Sequence, residues 1–220
     1  MLMAGQVRVE GGVMEKPGSQ VSDEAAIEVV GEPQPYVSRG GVKLEGALAD
    51  FGVEAKGKVC LDVGSSTGGF TDCLLQHGAA RVYPVDVTIS QLDWKLQRNP
   101  QVKAVERNAR YLRPEDVGEP VQLITVDLSF ISVTKVLPAI IPLAAPGAEF
   151  LILVKPQFEL EKRAVGKGGI VREPALREKA AQSVAAAADQ AGLEVLGVRP
   201  SRLPGAEGNQ EYFLHARSRG

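Results

Sequence analysis

The 220-residue sequence predicts an α/β protein: a mostly parallel sheet covered by helices on both faces, preceded by a small N-terminal β segment. Three observations predict it. Short, continuous apolar runs rich in Val, Leu and Ile recur at 59–63, 82–85, 102–105, 121–126 and 150–154, as expected of strands buried on both faces. Helical patterns fall between most of them, the alternation that parallel strands and their crossovers impose. The last two strand-like runs, Leu193 to Val198 and Glu211 to Ala216, are joined instead by a glycine- and asparagine-containing loop, so the final strand should be antiparallel.

Taken in order, residues 1–32 differ in kind from the rest. Gln6 to Glu10 alternates, Gly11-Gly12 and Lys16-Pro17-Gly18 turn, and Ala26 to Val30 is again apolar. Two or three short strands are expected, too few to bury a core alone. Gly31 to Pro35 reads as a linker, which we place at 33–37. Ser38-Arg39-Gly40-Gly41 then leads into an amphipathic helix to Phe51, with Val42, Leu44, Ala47, Leu48 and Phe51 on its apolar side. Lys43 opposes the dipole at the start of that helix and, by itself, reads as a solvated lysine.

The next element organises the chain. Val59 to Val63 is a buried strand, Gly64-Ser65-Ser66-Thr67-Gly68-Gly69 a tight turn, and Phe70, Leu74 and Leu75 open a helix. Strand, turn and helix in that order present backbone N–H groups to an anion or a polar cofactor edge. Gly64 is expected to let the chain turn sharply, and Gly68 and Gly69 to let a ligand or the preceding strand approach the backbone. Asp62 ends the strand; Asp86 ends the following one, about 20 residues beyond the turn, where a carboxylate accepts from ribose hydroxyls. No Lys-Ser/Thr follows the glycines and the spacing is not G-x-G-x-x-G, so a nucleoside cofactor without a pyrophosphate fits best.

Beyond Asp86, Ser90 to Leu96 suggests a short helix with Trp94 on its apolar side. The strand at 102–105 leads to Arg107-Asn108-Ala109, and that at 121–126 ends on Asp127. Ser132 can cap a helix carrying Val133, Val136, Leu137, Ile140 and Ile141, with Pro138 kinking it. The strand at 150–154 ends on Lys155-Pro156. Gln157 to Arg172 breaks the rhythm: Lys162, Arg163, Lys167 and Arg172 lie in a run without acids, among glycines, and read as a mobile basic loop of a kind that is often only solvated surface. Pro174 opens an alanine-rich helix that Gly192 closes.

Composition removes several classes. Two cysteines and two histidines leave no disulfide framework, no metal spacing and no Ser-His-Asp triad. No apolar run reaches the ~18 residues of a membrane span, so a soluble cytoplasmic protein is expected. A net charge of −2 confines any nucleic-acid contact to local patches.

Asp62, Asp86, Asp127 and Lys155 all fall at the carboxyl ends of strands, where open α/β sheets bind ligands; each carboxylate can equally cap the helix that follows. The stretches Ser38 to Leu44, Asp62 to Thr71, Asp127 to Ser132, Val154 to Phe158, Val165 to Gly169 and Glu207 to Glu211 resemble the TlyA (hemolysin A) family. These are bacterial ribosomal-RNA 2′-O-methyltransferases with an FtsJ-type S-adenosylmethionine domain. The resemblance runs from about Tyr36 to the C-terminus and implies a Rossmann-like methyltransferase domain over 38–220. It implies a catalytic tetrad of Lys43, Asp127, Lys155 and Glu211, with S-adenosylmethionine as cofactor, no metal, and rRNA cytidines or ribosomal subunits as partners. The cofactor contacts it implies are Asp62, Gly64, Ser65, Ser66, Thr67, Gly68, Gly69, Phe70, Asp86 and Asp127, with Asn108 near the adenine. The two lysines are expected to lie close together, oriented by the two acids. Residues 1–32 resemble only the second half of an S4 RNA-binding domain, from Met3 through Gly18. A non-catalytic cofactor- or RNA-binding domain is the alternative, and a membrane-active hemolysin a remoter one.

Overall fold

The computed structural model describes residues 7–14, 16, 18–30, 34–205 and 208–219. The chain divides into two units, Met1–Gln34 and Pro35–Gly220. Met3 to Gln6 and Pro17 of the S4-like stretch, Gly31 to Pro33 of the linker, and Glu207 of the last motif lie outside the described residues.

In the first unit β1 (Val7–Val9), β2 (Gly12–Val13) and β3 (Ile27–Val29) form an antiparallel sheet in the order β2-β1-β3. Glu10 and Gly11, both at positive φ, make the two-residue turn that suits a tight hairpin. Val13 and Ile27 remain more than half exposed, as follows from a sheet too small to enclose a core.

The second unit contains α1 (Arg39–Phe51), β4 (Val59–Val63), α2 (Gly69–Gln76), β5 (Arg81–Asp86), α3 (Trp94–Gln97), β6 (Val105–Glu106), α4 (Pro114–Val117) and β7 (Val121–Val126). There follow α5 (Leu137–Ile140), β8 (Ala144–Val154), α6 (Pro156–Glu159), α7 (Pro174–Gln190), β9 (Leu193–Pro200) and β10 (Tyr212–Ser218). The sheet order is β6-β5-β4-β7-β8-β10-β9, parallel from β6 to β8, with β10 antiparallel to both β8 and β9. Alternate residues of each strand serve opposite layers. Leu61, Val63, Ile124, Ile152 and Leu214 pack with Leu137 and Val184 on one side. Cys60, Leu123, Leu151 and Phe213 pack with Leu44, Leu48 and Leu74 of α1 and α2 on the other.

Four expectations need correction. The run at 102–105 barely forms a strand: only Val105 and Glu106 ladder onto β5, with one bridge from Val102 to Val82. The helix at 132–141 is broken into a 3-10 turn at 133–135, α5, and a 3-10 turn at 141–143, the last two with a proline at their starts. Trp94 is 60% exposed; Leu92 and Leu96 are the residues of that segment that turn inward. Residues 35–37 are not linker. Tyr36 is buried over Gly41, where a Cβ would lie 2.3 Å from the ring, and Val37 N donates to Asp72 at 2.8 Å.

Candidate active site

Strand order reverses at β4, whose neighbours β5 and β7 lie on either side, and the crevice beyond such a point is where open α/β sheets take ligands. Gly64 leaves β4 with φ of 86°, and a Cβ on it would lie 2.3 Å from the carbonyl oxygen of Asp127 at the end of β7. Gly68 has φ of 95°, and its missing Cβ is replaced by Leu92 and Leu96. Both glycines therefore admit other parts of the protein to the backbone.

Two adjoining cavities open beside this turn. Ser38, Arg39, Lys43, Ser65, Thr67 and Phe70 line the first. Asp86, Val87, Asn108, Leu128, Phe130 and Ile131 line the second. Gly64, Ser66 and Asp127 belong to both walls. Asp86 is fixed by two backbone groups, accepting from Ser66 N at 2.9 Å and Thr88 N at 3.1 Å. Asn108 caps the turn after β6, accepting from Arg110 N at 3.0 Å. Ser65 Oγ is buried without a hydrogen-bond partner, a state a ligand atom in the first cavity would relieve. A carboxylate beside an apolar slot, next to a cavity with an unpaired hydroxyl and two cations, fits a nucleoside bearing a charged amino-acid tail.

Asp62 does not share this role. It is fully buried under the turn, accepting from Thr71 Oγ1 at 2.6 Å and, at 3.4 Å, from Thr125 Oγ1. Burial pushes its carboxyl up to about 7, with the neighbouring charge of Asp127 adding to the effect. Burial likewise raises the Cys60 and Cys73 thiols to about 12, which makes them packing groups.

The four tetrad residues form two ion pairs. Lys43 Nζ lies 2.6 Å from Glu211 Oε2, with side chains 11% and 3% exposed. That burial overturns the solvated reading of Lys43. Lys155 Nζ lies 2.5 Å from Asp127 Oδ1 and donates to Ser129 Oγ at 2.9 Å. Tyr212 pairs with Val154 across antiparallel strands, so Glu211 and Lys155, each one residue beyond that pair, lie at the same end of the sheet. Each lysine thus has its own carboxylate.

Arg39 stands at the rim of the first cavity. Lys162, Arg163, Lys167 and Arg172 are all exposed, and Arg163 is paired with Glu161, just outside the acid-free run, at 2.7 Å. The loop is also better anchored than its glycines suggest. The buried Asn209 accepts from Val171 N at 2.9 Å and donates to Gly169 O at 2.8 Å. Reading residues by strand ends passed over Asn209 and Ser129, which lie in loops without periodic pattern. It also passed over Glu159, whose carboxylate takes Ser132 Oγ at 2.5 Å and Val133 N at 2.9 Å and so pins the loop after β7. Burial raises that carboxyl above its ordinary range.

The model of the FtsJ-like methyltransferase family matches residues 36–218. The chain belongs to that family. Among relatives of this methyltransferase, the 16S/23S rRNA (cytidine-2′-O)-methyltransferase TlyA of Mycobacterium tuberculosis is 47% identical over 220 residues, which cover 99% of this chain and 82% of the relative. Hemolysin A of Brachyspira hyodysenteriae is 41% identical, covering 98% and 90%. A solved structure from Streptococcus thermophilus, carrying the name hemolysin, superposes on the methyltransferase with a TM-score of 0.85 at 40% identity, covering 99% of this chain and 80% of the other. Family and fold are those the motifs implied. No helix among the described residues is long and apolar enough to cross a membrane.

Proposed function

We propose that this protein transfers the methyl group of S-adenosylmethionine to the ribose 2′-hydroxyl of cytidines in ribosomal RNA, free or within ribosomal subunits. The observation that carries the reading is the two lysine–carboxylate pairs set beside the glycine turn in an FtsJ-like chain. The M. tuberculosis relative, named for this reaction, supports the choice of substrate.

When bound, S-adenosylmethionine supplies a methyl group on a sulfonium centre that is already a strong electrophile. The protein's part is to bind, align and move one proton. Asp86 would accept from the ribose hydroxyls of the cofactor, Asn108 and the apolar wall would hold its base, and Ser65 to Thr67 would receive its amino-acid end. The 2′-hydroxyl of the RNA is a weak acid whose proton must leave as the oxygen attacks. Lys155 Nζ, held in line by Asp127 and Ser129, receives that proton; alignment of this kind is a large part of such rate enhancements. Glu211 holds Lys43 across from it, supplying fixed charge at the reacting oxygen. Arg39 and the exposed cations of 162–172 bind RNA phosphate, and the protein acts in the cytoplasm.

Lys155→Arg keeps the positive charge and cannot release a proton at working pH. The variant should fold, bind S-adenosylmethionine normally and leave rRNA unmethylated by mass spectrometry, whereas Lys43→Arg retains more activity. Substantial turnover by Lys155→Arg removes the base role from this lysine.

A further inference from the structure

Few aromatic side chains of this protein meet solvent. Trp94, Tyr111 and Phe130 are 60%, 61% and 91% exposed, and the other aromatic side chains of the second unit are buried or half-buried. The three exposed ones follow β5, β6 and β7 respectively, at the carboxyl edge of the sheet where the site lies. Exposed apolar groups gathered on one functional edge call for an explanation that scattered ones do not.

Trp94 is the one whose surroundings say most. Arg98 lies 5.4 Å and Lys95 6.0 Å from its ring centre, so the indole carries two neighbouring cations. The nearest acid in the chain, Asp93, is spent on capping α3, accepting from Lys95 N at 2.9 Å. The platform is also rigidly placed. Leu92 and Leu96 are buried against Gly68, and Asp93 N donates to Thr67 O at 3.1 Å, so α3 is fastened to the turn that lines the first cavity. A rigid exposed indole with flanking cations is the combination that stacks an unpaired base and holds its phosphates, because every base has a π-face and every linkage a negative charge.

We infer that Trp94, with Lys95 and Arg98, is a stacking platform for an unpaired base of the RNA that carries the methylated nucleotide. This rests on the proposed RNA substrate. It extends the RNA footprint to the β5 side of the sheet, opposite the basic loop that follows β8, so that the strand crosses the carboxyl edge with the target ribose between two points of attachment.

Trp94 is the only tryptophan in the chain, so intrinsic fluorescence reads this position alone. A single-stranded RNA of about 12 nucleotides and a 16S rRNA transcript serve as probes. Saturable quenching by both is expected. Trp94→Ala should weaken RNA affinity roughly 5- to 100-fold, leave S-adenosylmethionine affinity and melting temperature unchanged, and be largely rescued by Trp94→Phe. Unquenched fluorescence at RNA concentrations that saturate methyl transfer overturns the platform, as does unaltered RNA affinity in Trp94→Ala. Quenching by ribosomal proteins and not by RNA, or loss of cofactor binding in Trp94→Ala, also overturns it. Quenching by RNA in a wild-type protein that methylates no rRNA supports the platform and instead removes the proposed reaction.

Discussion

Glu211→Gln keeps the shape of the side chain and removes the charge opposite Lys43. With 11% and 3% exposure, the pair is close to fully desolvated. Removing one member of a buried ion pair leaves the other uncompensated, at about 3–5 kcal/mol. The glutamine carbonyl can still accept from Nζ, and the lysine has a small opening to water, so about 2–4 kcal/mol is a better figure. For a chain of this length that is a fall in melting temperature of roughly 5–15 °C. Calorimetry of Glu211→Gln and of Lys43→Met combined with Glu211→Gln separates the two uses of the pair. Removing both charges should recover at least half of the lost stability, because an uncharged pair has no desolvation penalty to offset. Methyl transfer should be lost in both variants. A single variant that melts within a degree of wild type, or a double variant no better than the single, would refute the claim that burial of the charge governs the cost.

Three further outcomes follow from named contacts. Asp86→Ala should weaken S-adenosylmethionine binding at least about 10-fold by titration calorimetry; unchanged affinity moves the ribose contact elsewhere. Neutralising Lys162 and Lys167 should lower the slope of log RNA affinity against log salt by about 1.4 to 1.8, and an unaltered slope makes the loop a solvated surface only. Asp62 titrates near 7 when folded against an ordinary 3.8, so the native state favours its protonated form. Stability contributed by that form is complete below about pH 4, declines between pH 4 and 7, and is absent above, a span of roughly 4 kcal/mol. Asp62→Asn should therefore raise the melting temperature above pH 7 more than at pH 4; parallel profiles for the two proteins would count against this.

The sheet was legible because its strands are buried on both faces and show as unbroken apolar runs, Val121 to Val126 most plainly. Val102 to Val105 has a similar composition and almost no ladder, although β5 beside it extends over six residues in the matching register. Trp94 was misread because hydropathy treats indole as core material, although the inward face of that short segment is filled by Leu92 and Leu96. The four tetrad positions came from motif resemblance, and only coordinates could pair them, because Lys43 and Glu211 are 168 residues apart in the chain. Spacing also could not reveal that Gly64 makes room for a carbonyl or that Asp62 faces inward, since each depends on what the end of β7 brings against the turn.

The reversed direction of β10 has a practical corollary for anyone handling this protein. Because the strand begins at Tyr212 beside Val154 and finishes toward Glu149, the chain enters it at the edge that carries the two ion pairs and leaves it toward the opposite end of the sheet. A fluorophore joined at Ser218 therefore points away from the edge that carries the two ion pairs, whereas one at Gly208 lies on that side.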